Sequence, residues 1–286
     1  MPGIDLHLHT SASDGCFTPE ELVGIAARRG LKAIAITDHD TVAGIKPALE
    51  AAKKYPELTV ISGIELSTHA PGSELHLLGY FIDHHNPELV SVLKNMYSDR
   101  QIRARAMVEK LNDLGINLGW QQVCHIAGDS NVGRPHIALA LMEAGYIKSF
   151  DEAFELYLAQ GKPGYVERFK ITPAEAVELV LKSGGLPVMA HPLTVADYPV
   201  VAAELSTAGL EGLEVYYKDF TLEERRDLFV LSQKLNLIAT GGSDYHGIDD
   251  SIEMLPGEAG VPEAVLDDLI KRARERGITG FPGERN

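Results

Sequence analysis

Polar and apolar residues alternate strictly near the N-terminus, in Asp5-Leu6-His7-Leu8-His9. In an extended strand, side chains point to opposite faces with period 2. Asp5, His7 and His9 therefore share one face and Leu6 and Leu8 the other. Same-face neighbours lie roughly 6.5–7 Å apart, close enough for two imidazoles to converge on one cation. The pattern predicts a strand over 3–10. Thr18-Pro19-Glu20-Glu21 then reads as an N-cap, a first-turn proline and first-turn acids, opening a helix that stops at Gly30. The apolar run in 31–37 predicts a strand buried on both faces, followed by a helix over 42–55. Strands are expected over 58–66 and 74–82.

From residue 87 to about 114 the period is helical. Between about 98 and 168 strand–helix alternation lapses, with helical segments over 135–144 and 150–160. Alternation then resumes, with helices over 172–183, 199–208, 221–235 and 262–276 and strands over 186–190, 210–216 and 237–241. Strands alternating with helices imply parallel pairing with the helices outside. The expected fold class is α/β, a barrel or near-barrel of about seven strands with chemistry at the strand C-termini. Residues 1–97 and 169–286 form the expected barrel domain, and 98–168 an inserted helical subdomain.

The chain has 286 residues, 45% of them hydrophobic, and a formal net charge of −15. That charge argues against general affinity for long nucleic acid or anionic membrane. It leaves room for a phosphorylated substrate, because bound divalent cations reverse the local field. Cys16 and Cys124 are the only cysteines, and neither sits in a CxxC motif, so no disulfide framework is expected. No apolar run is long enough to span a bilayer, and the first residues do not resemble a signal peptide. A cytoplasmic location is the expectation.

Nearly every expected core strand carries a metal-type side chain at or near its end: His7 and His9, Thr37-Asp38-His39-Asp40, Gly63-Ile64-Glu65, Glu74-Leu75-His76, Ala190-His191-Pro192, and Ser243-Asp244-Tyr245-His246. Alone, His76 or His191 reads as an ordinary structural histidine, and Asp38 and Asp40 as turn residues. Together they demand a cation, because burying several carboxylates and imidazoles without one costs too much. The donors are all nitrogen and oxygen, which suits manganese, zinc or iron. They are too many for one ion. Glu65 is placed to bridge two. His69, His84 and His85 are read as solvated loop residues.

The motifs Asp5-Leu-His-Leu-His-Thr, Thr37-Asp-His-Asp, Gly63-Ile-Glu, His76, Ala190-His-Pro and Ser243-Asp-Tyr-His resemble those of the PHP (polymerase and histidinol phosphatase) superfamily of metal-dependent phosphoesterases. Asn131-Val-Gly-Arg-Pro-His136 and Gly161-Lys-Pro resemble its 3′,5′-nucleotide bisphosphate phosphatases and the related 5′→3′ exoribonucleases. The resemblance implies a distorted (β/α)7 barrel with a mainly helical lid subdomain, and three divalent ions, manganese first with zinc or iron as alternatives. One ion would take His7, His9, Glu65 and Asp244. A second would take Glu65, His76 and His191, and a third Asp14, His39 and His246. Glu65, His191 and Asp244 would be the catalytic core. Asp5, Asp38 and Asp40 would orient imidazoles.

The activity implied is removal of the 3′-phosphate from a 3′,5′-bisphosphonucleotide, such as adenosine 3′,5′-bisphosphate, by in-line attack of a metal-bridging hydroxide. Arg134 has the planar fork for a second phosphate, with His136 and Lys162 beside it in that role; a surface salt bridge is the plain alternative for Arg134. Tyr157 or Tyr165 suits stacking on a base, or a place in the core. The partner expected is a small phosphorylated nucleotide or short RNA, with no membrane and no long duplex. Competing readings are a 5′→3′ exoribonuclease on short RNA, a histidinol-phosphate phosphatase, and a non-catalytic metal-binding PHP module.

Overall fold

The structure, a computed structural model, describes residues 3–70, 73–128, 132–166 and 171–279, with only the backbone at 69, 70, 73 and 74. The chain divides into two compact units, Met1–Ser91 with Lys170–Asn286, and Val92–Phe169.

The first unit is built on one seven-stranded sheet in chain order: β1 (Ile4–Leu8), β2 (Ala33–Ile36), β3 (Thr59–Ala70), β4 (Ser73–Tyr80), β5 (Leu186–Met189), β6 (Gly212–Tyr217) and β7 (Ile238–Gly242). β1 to β3 run parallel, as do β5 to β7, but β4 is antiparallel to both its neighbours. This departs from the expected all-parallel sheet. Only residues 71 and 72 separate β3 from β4, too few for a crossover, so the pair must form a hairpin. Past β7 the chain returns to β1. His7 O accepts from Asp244 N at 3.0 Å, and Tyr245 O accepts from His9 N at 3.1 Å. Gly242 permits that approach, since a Cβ there would lie 2.4 Å from the His7 Cβ. The result is a distorted, nearly closed barrel.

α1 (Pro19–Arg28), α2 (Ile45–Ala52), α7 (Pro173–Lys182), α8 (Tyr198–Ala208), α9 (Leu222–Lys234) and α10 (Ala264–Glu275) belong to this unit. Three of them start with the same device. Thr18 with Glu21, Thr172 with Glu175 and Thr221 with Glu224 form capping boxes, each satisfying two otherwise orphaned backbone donors. β2 shows why helices pack outside. Ala33 and Ala35 join one apolar cluster with Leu78, Val188 and Leu269, while Ile34 and Ile36 join another with Leu22, Val23 and Ala48 of α1 and α2.

The second unit is helical. α3 (Pro87–Asp113) enters it, and α4 (Trp120–Ala127), α5 (Arg134–Glu143) and α6 (Phe150–Ala153) follow. It has its own core, with Leu111, Val123, Ile137, Leu141 and Leu158. α4 was not anticipated. The single helix expected over 150–160 is a short α-turn continued by a π-helical turn, Phe154–Leu158. No described helix is long and apolar enough to cross a membrane.

Candidate metal centre

Glu65, on β3, is the hub of the site. Its Oε2 lies 3.2 Å from His7 Nε2, 3.3 Å from His9 Nε2 and 3.1 Å from His39 Nδ1. Its Oε1 lies 2.9 Å from His76 Nδ1 and 3.1 Å from His191 Nε2. Five imidazoles thus crowd one carboxylate. His76 reaches it from the first half of β4, not the end, because β4 runs opposite to the parallel strands: Ser67 toward the end of β3 pairs with His76. Asp244 adds Oδ1, 3.0 Å from His9 Nε2 and 3.4 Å from His7 Nε2. Asp14, in the loop after β1, sits 3.6 Å from His9 Nδ1, 3.5 Å from His246 Nε2 and 3.8 Å from His39 Nε2.

Three overlapping groups therefore bring their donor atoms within 4.8 Å of one another: His7, His9, Glu65 and Asp244; His39, Glu65 and His76; and His9, Asp14, His39 and His246. These groups take in eight of the nine residues named from the sequence; His191 is not among them, although its Nε2 lies beside Glu65 Oε1, and His39 stands with Glu65 and His76 where His191 was expected. Whether these residues fit metal ions is answered by their unused atoms. His7 Nε2, both ring nitrogens of His9, His39 Nδ1 and Glu65 Oε2 are buried without a well-formed hydrogen bond. Donors bound to one ion at about 2.1 Å stand roughly 3–3.5 Å apart, the spacing seen around Glu65. The donor set and its spacing fit divalent ions.

The electrostatics say the same. Burial penalises the Glu65 carboxylate, yet His39, His7 and His76 hold it well below its ordinary range. Burial likewise opposes the Asp244 charge, and His7 and His9 override it. His9 would be driven down by burial, but Asp244, Glu65 and Asp14 lift it to about 10. Burial takes His39 down to about 4 despite Glu65 and Asp14. Without an ion, protons must supply the missing positive charge.

The three expected orienting residues bind the backbone and hydroxyls around the site. Asp5 accepts from the backbone of His7, Ser243 and Gly257, pinning β1 to the segment after β7. Asp38 accepts from Thr10 N, Thr10 Oγ1 and Ser13 Oγ and so shapes the turn that carries Asp14. Asp40 grips Ser67 N and Oγ. A buried residue that holds an imidazole was missed. Glu214 on β6 is buried, with Oε1 3.0 Å from His7 Nδ1 and Oε2 accepting from His191 N at 2.7 Å. Tyr217 OH and Lys218 Nζ donate to Asp244 Oδ2 at 2.7 and 3.1 Å. One signal was available: Leu213-Glu214-Val215 sets an acid inside an apolar strand, and a buried acid needs partners.

In the helical unit, Arg134 opens α5 with its guanidinium 5.7 Å from the Phe154 ring centre. His136 Nδ1 accepts from Gly133 N at 3.0 Å, and Lys162 is exposed. Asn131 lies outside the described residues. Tyr157 packs half-buried against the helical core, and Tyr165 lies under Arg103. His69 falls within β3, not in a loop.

The PHP domain family matches residues 5–178. The 5′-3′ exoribonuclease Rnm of Escherichia coli is 36% identical over 85% of this chain and 84% of its own. The 3′,5′-nucleoside bisphosphate phosphatase of Chromobacterium violaceum is 31% identical over 94% of this chain and 93% of its own. A candidate metal-dependent phosphoesterase from Bifidobacterium adolescentis superposes with a TM-score of 0.83 at 31% identity, covering 95% of this chain and 96% of that one. A match of this length places the chain in the PHP domain family, among phosphoester hydrolases.

Proposed function

We propose that this protein is a metal-dependent phosphatase that removes the 3′-phosphate of 3′,5′-bisphosphonucleotides, leaving the 5′-nucleotide. The observation that carries the chemistry is the buried Glu65 hub, where five imidazoles converge on one carboxylate with Asp244 and Asp14 alongside. His7, His9, Asp14, His39, Glu65, His76, His191, Asp244 and His246 would hold the ions, three in number and manganese by preference. Bound divalent ions supply Lewis-acid stabilisation of phosphoryl charge and acidify water near neutral pH. The residues themselves do the positioning. Glu65 spans two donor groups, so it fixes their separation. Asp244 and His191 sit in left-handed backbone, at φ 51° and 26°, which aims their side chains from the strand ends into the cluster. Arg134, His136 and Lys162 are assigned to the second phosphate, with the Arg134 fork suited to two oxygens.

The breadth of the alignment to the Chromobacterium phosphatase supports the bisphosphate substrate. The stronger identity to the exoribonuclease supports a second reading, stepwise 5′→3′ hydrolysis of short RNA by the same site. A comparison of kcat/KM in manganese-loaded protein separates them, using adenosine 3′,5′-bisphosphate and a 5′-phosphorylated RNA dinucleotide. Fast phosphate release leaving 5′-AMP, with slow dinucleotide cleavage, is expected. Dinucleotide cleavage at an equal or greater rate moves the assignment to the exoribonuclease.

A further inference from the structure

Six strands, or the residues just after them, carry the eight grouped residues and His191, which meets them through Glu65, and β6 carries none. In that place β6 carries Glu214, whose two bonds go to two different members of the cluster. We propose that Glu214 is a positioning residue that couples two ion subsites, holding the ring of His7 and the backbone of His191 with one carboxylate. The inference rests on reading the cluster as a multi-ion centre.

Glu214 is fully buried, so both its oxygens need donors. A carboxylate only accepts, so the 3.0 Å contact to His7 Nδ1 puts the ring proton there. His7 Nε2 is then left with its lone pair toward Glu65 Oε2 and Asp244 Oδ1. The second oxygen acts on backbone. His191 has φ 26° and ψ 59°, a conformation that side-chain-bearing residues hold only when their surroundings enforce it. The 2.7 Å bond from its N–H to Glu214 does so, and His191 Nε2 consequently rests 3.1 Å from Glu65 Oε1. His7 faces one oxygen of Glu65 and His191 the other, so Glu214 braces both sides of the hub. Tyr217 and Lys218 differ: they hold Asp244 alone, at Oδ2 and, from Lys218, at the backbone O, and leave Oδ1 toward His7 and His9.

The test is Glu214→Gln beside Tyr217→Phe in metal-stripped full-length protein. Glu214 meets its two N–H donors with two different oxygens, so a glutamine would set a donor NH2 against one of them. Manganese titration by calorimetry gives the affinity of each ion. The electron paramagnetic resonance spectrum of loaded protein shows whether two neighbouring ions remain coupled. Glu214→Gln is expected to weaken two ions by about 10- to 100-fold and to lose the coupled signal. Tyr217→Phe should weaken one ion and keep that signal. Wild-type affinities and spectrum in Glu214→Gln would overturn the proposal, as would weakening of a single ion. Should Glu214→Gln fail to fold, Glu214→Asp keeps two acceptors but withdraws them by one methylene. Partial weakening of both ions supports the brace, and unchanged affinity refutes it. A wild-type protein that binds no more than one ion would instead sink the multi-ion reading itself.

Discussion

The buried hub of the barrel unit and the helical unit hold their polar candidates under different conditions. In the barrel unit, His7, His9, Glu65 and Glu214 are buried among apolar strands, where an unpaired charge is prohibitively unstable. In the helical unit, Arg134 and His136 are half-buried at a helix start and Lys162 is exposed, where a polar side chain costs almost nothing. Burial turns a residue type into an argument about chemistry; an exposed residue such as Asp14 is legible only through the less exposed histidines around it. His136 illustrates this, since its Nδ1 caps Gly133 N, a task any short helix sets. The barrel candidates should therefore fail together when one is changed, and the helical candidates should affect substrate choice alone.

The largest effect is expected at the hub. Glu65→Gln keeps the shape but removes the anion that five imidazoles share. Turnover should fall on the order of 10³-fold, the scale at which preorganised electrostatic groups act, and bound manganese measured by elemental analysis should fall with it. Retained ions with lost turnover would show that Glu65 is not a ligand.

Much of that hub was legible in the chain. The period-2 placement of His7 and His9 and the strand-end positions of His39, His191 and Asp244 follow from local pattern alone. His76 is the exception among them: it lies midway along its strand, and the antiparallel run of β4 brings it to the hub. That run depends on how few residues join β3 to β4, and strand boundaries are blurred in sequence. Glu214, Tyr217 and Lys218 were missed because their role exists only through partners 23 to 207 residues away. α4 was missed because its eight residues lack a long apolar period.

A smaller effect tests the other side of the comparison. Arg134→Met removes a charge-assisted contact of about 1.5–3 kcal/mol, so KM for adenosine 3′,5′-bisphosphate should rise about 10- to 100-fold. KM for a nucleoside 3′-monophosphate and the affinity for manganese should stay as in the wild type. If ion binding also falls, the separation of roles between the two units is wrong.

The smallest effect is a pH dependence confined to the barrel unit. His9 in the folded, metal-free protein lies near 10, against an ordinary 6.5, so its contribution to metal-free stability is full below 6.5 and is lost as pH rises through 10. His39 has the opposite sign. Its folded value near 4 means its contribution is full above 6.5 and is lost as pH falls toward 4. Glu65 and Asp244 stay ionised across this range, since their neighbours hold them well below the usual carboxylate values. An ion taking His9 must therefore expel a proton anywhere below about pH 10, and each proton expelled steepens the apparent affinity by up to about tenfold per pH unit. Metal-free stability should thus fall from about pH 7 to about pH 9 while the manganese-induced rise in Tm grows. Thermal melts with and without manganese across that range check both slopes, and calorimetry in buffers of different ionisation enthalpy counts the proton directly. A manganese-induced Tm shift that is flat with pH would mean His9 is already neutral in the metal-free protein, and that the protons replacing the ions reside elsewhere in the cluster.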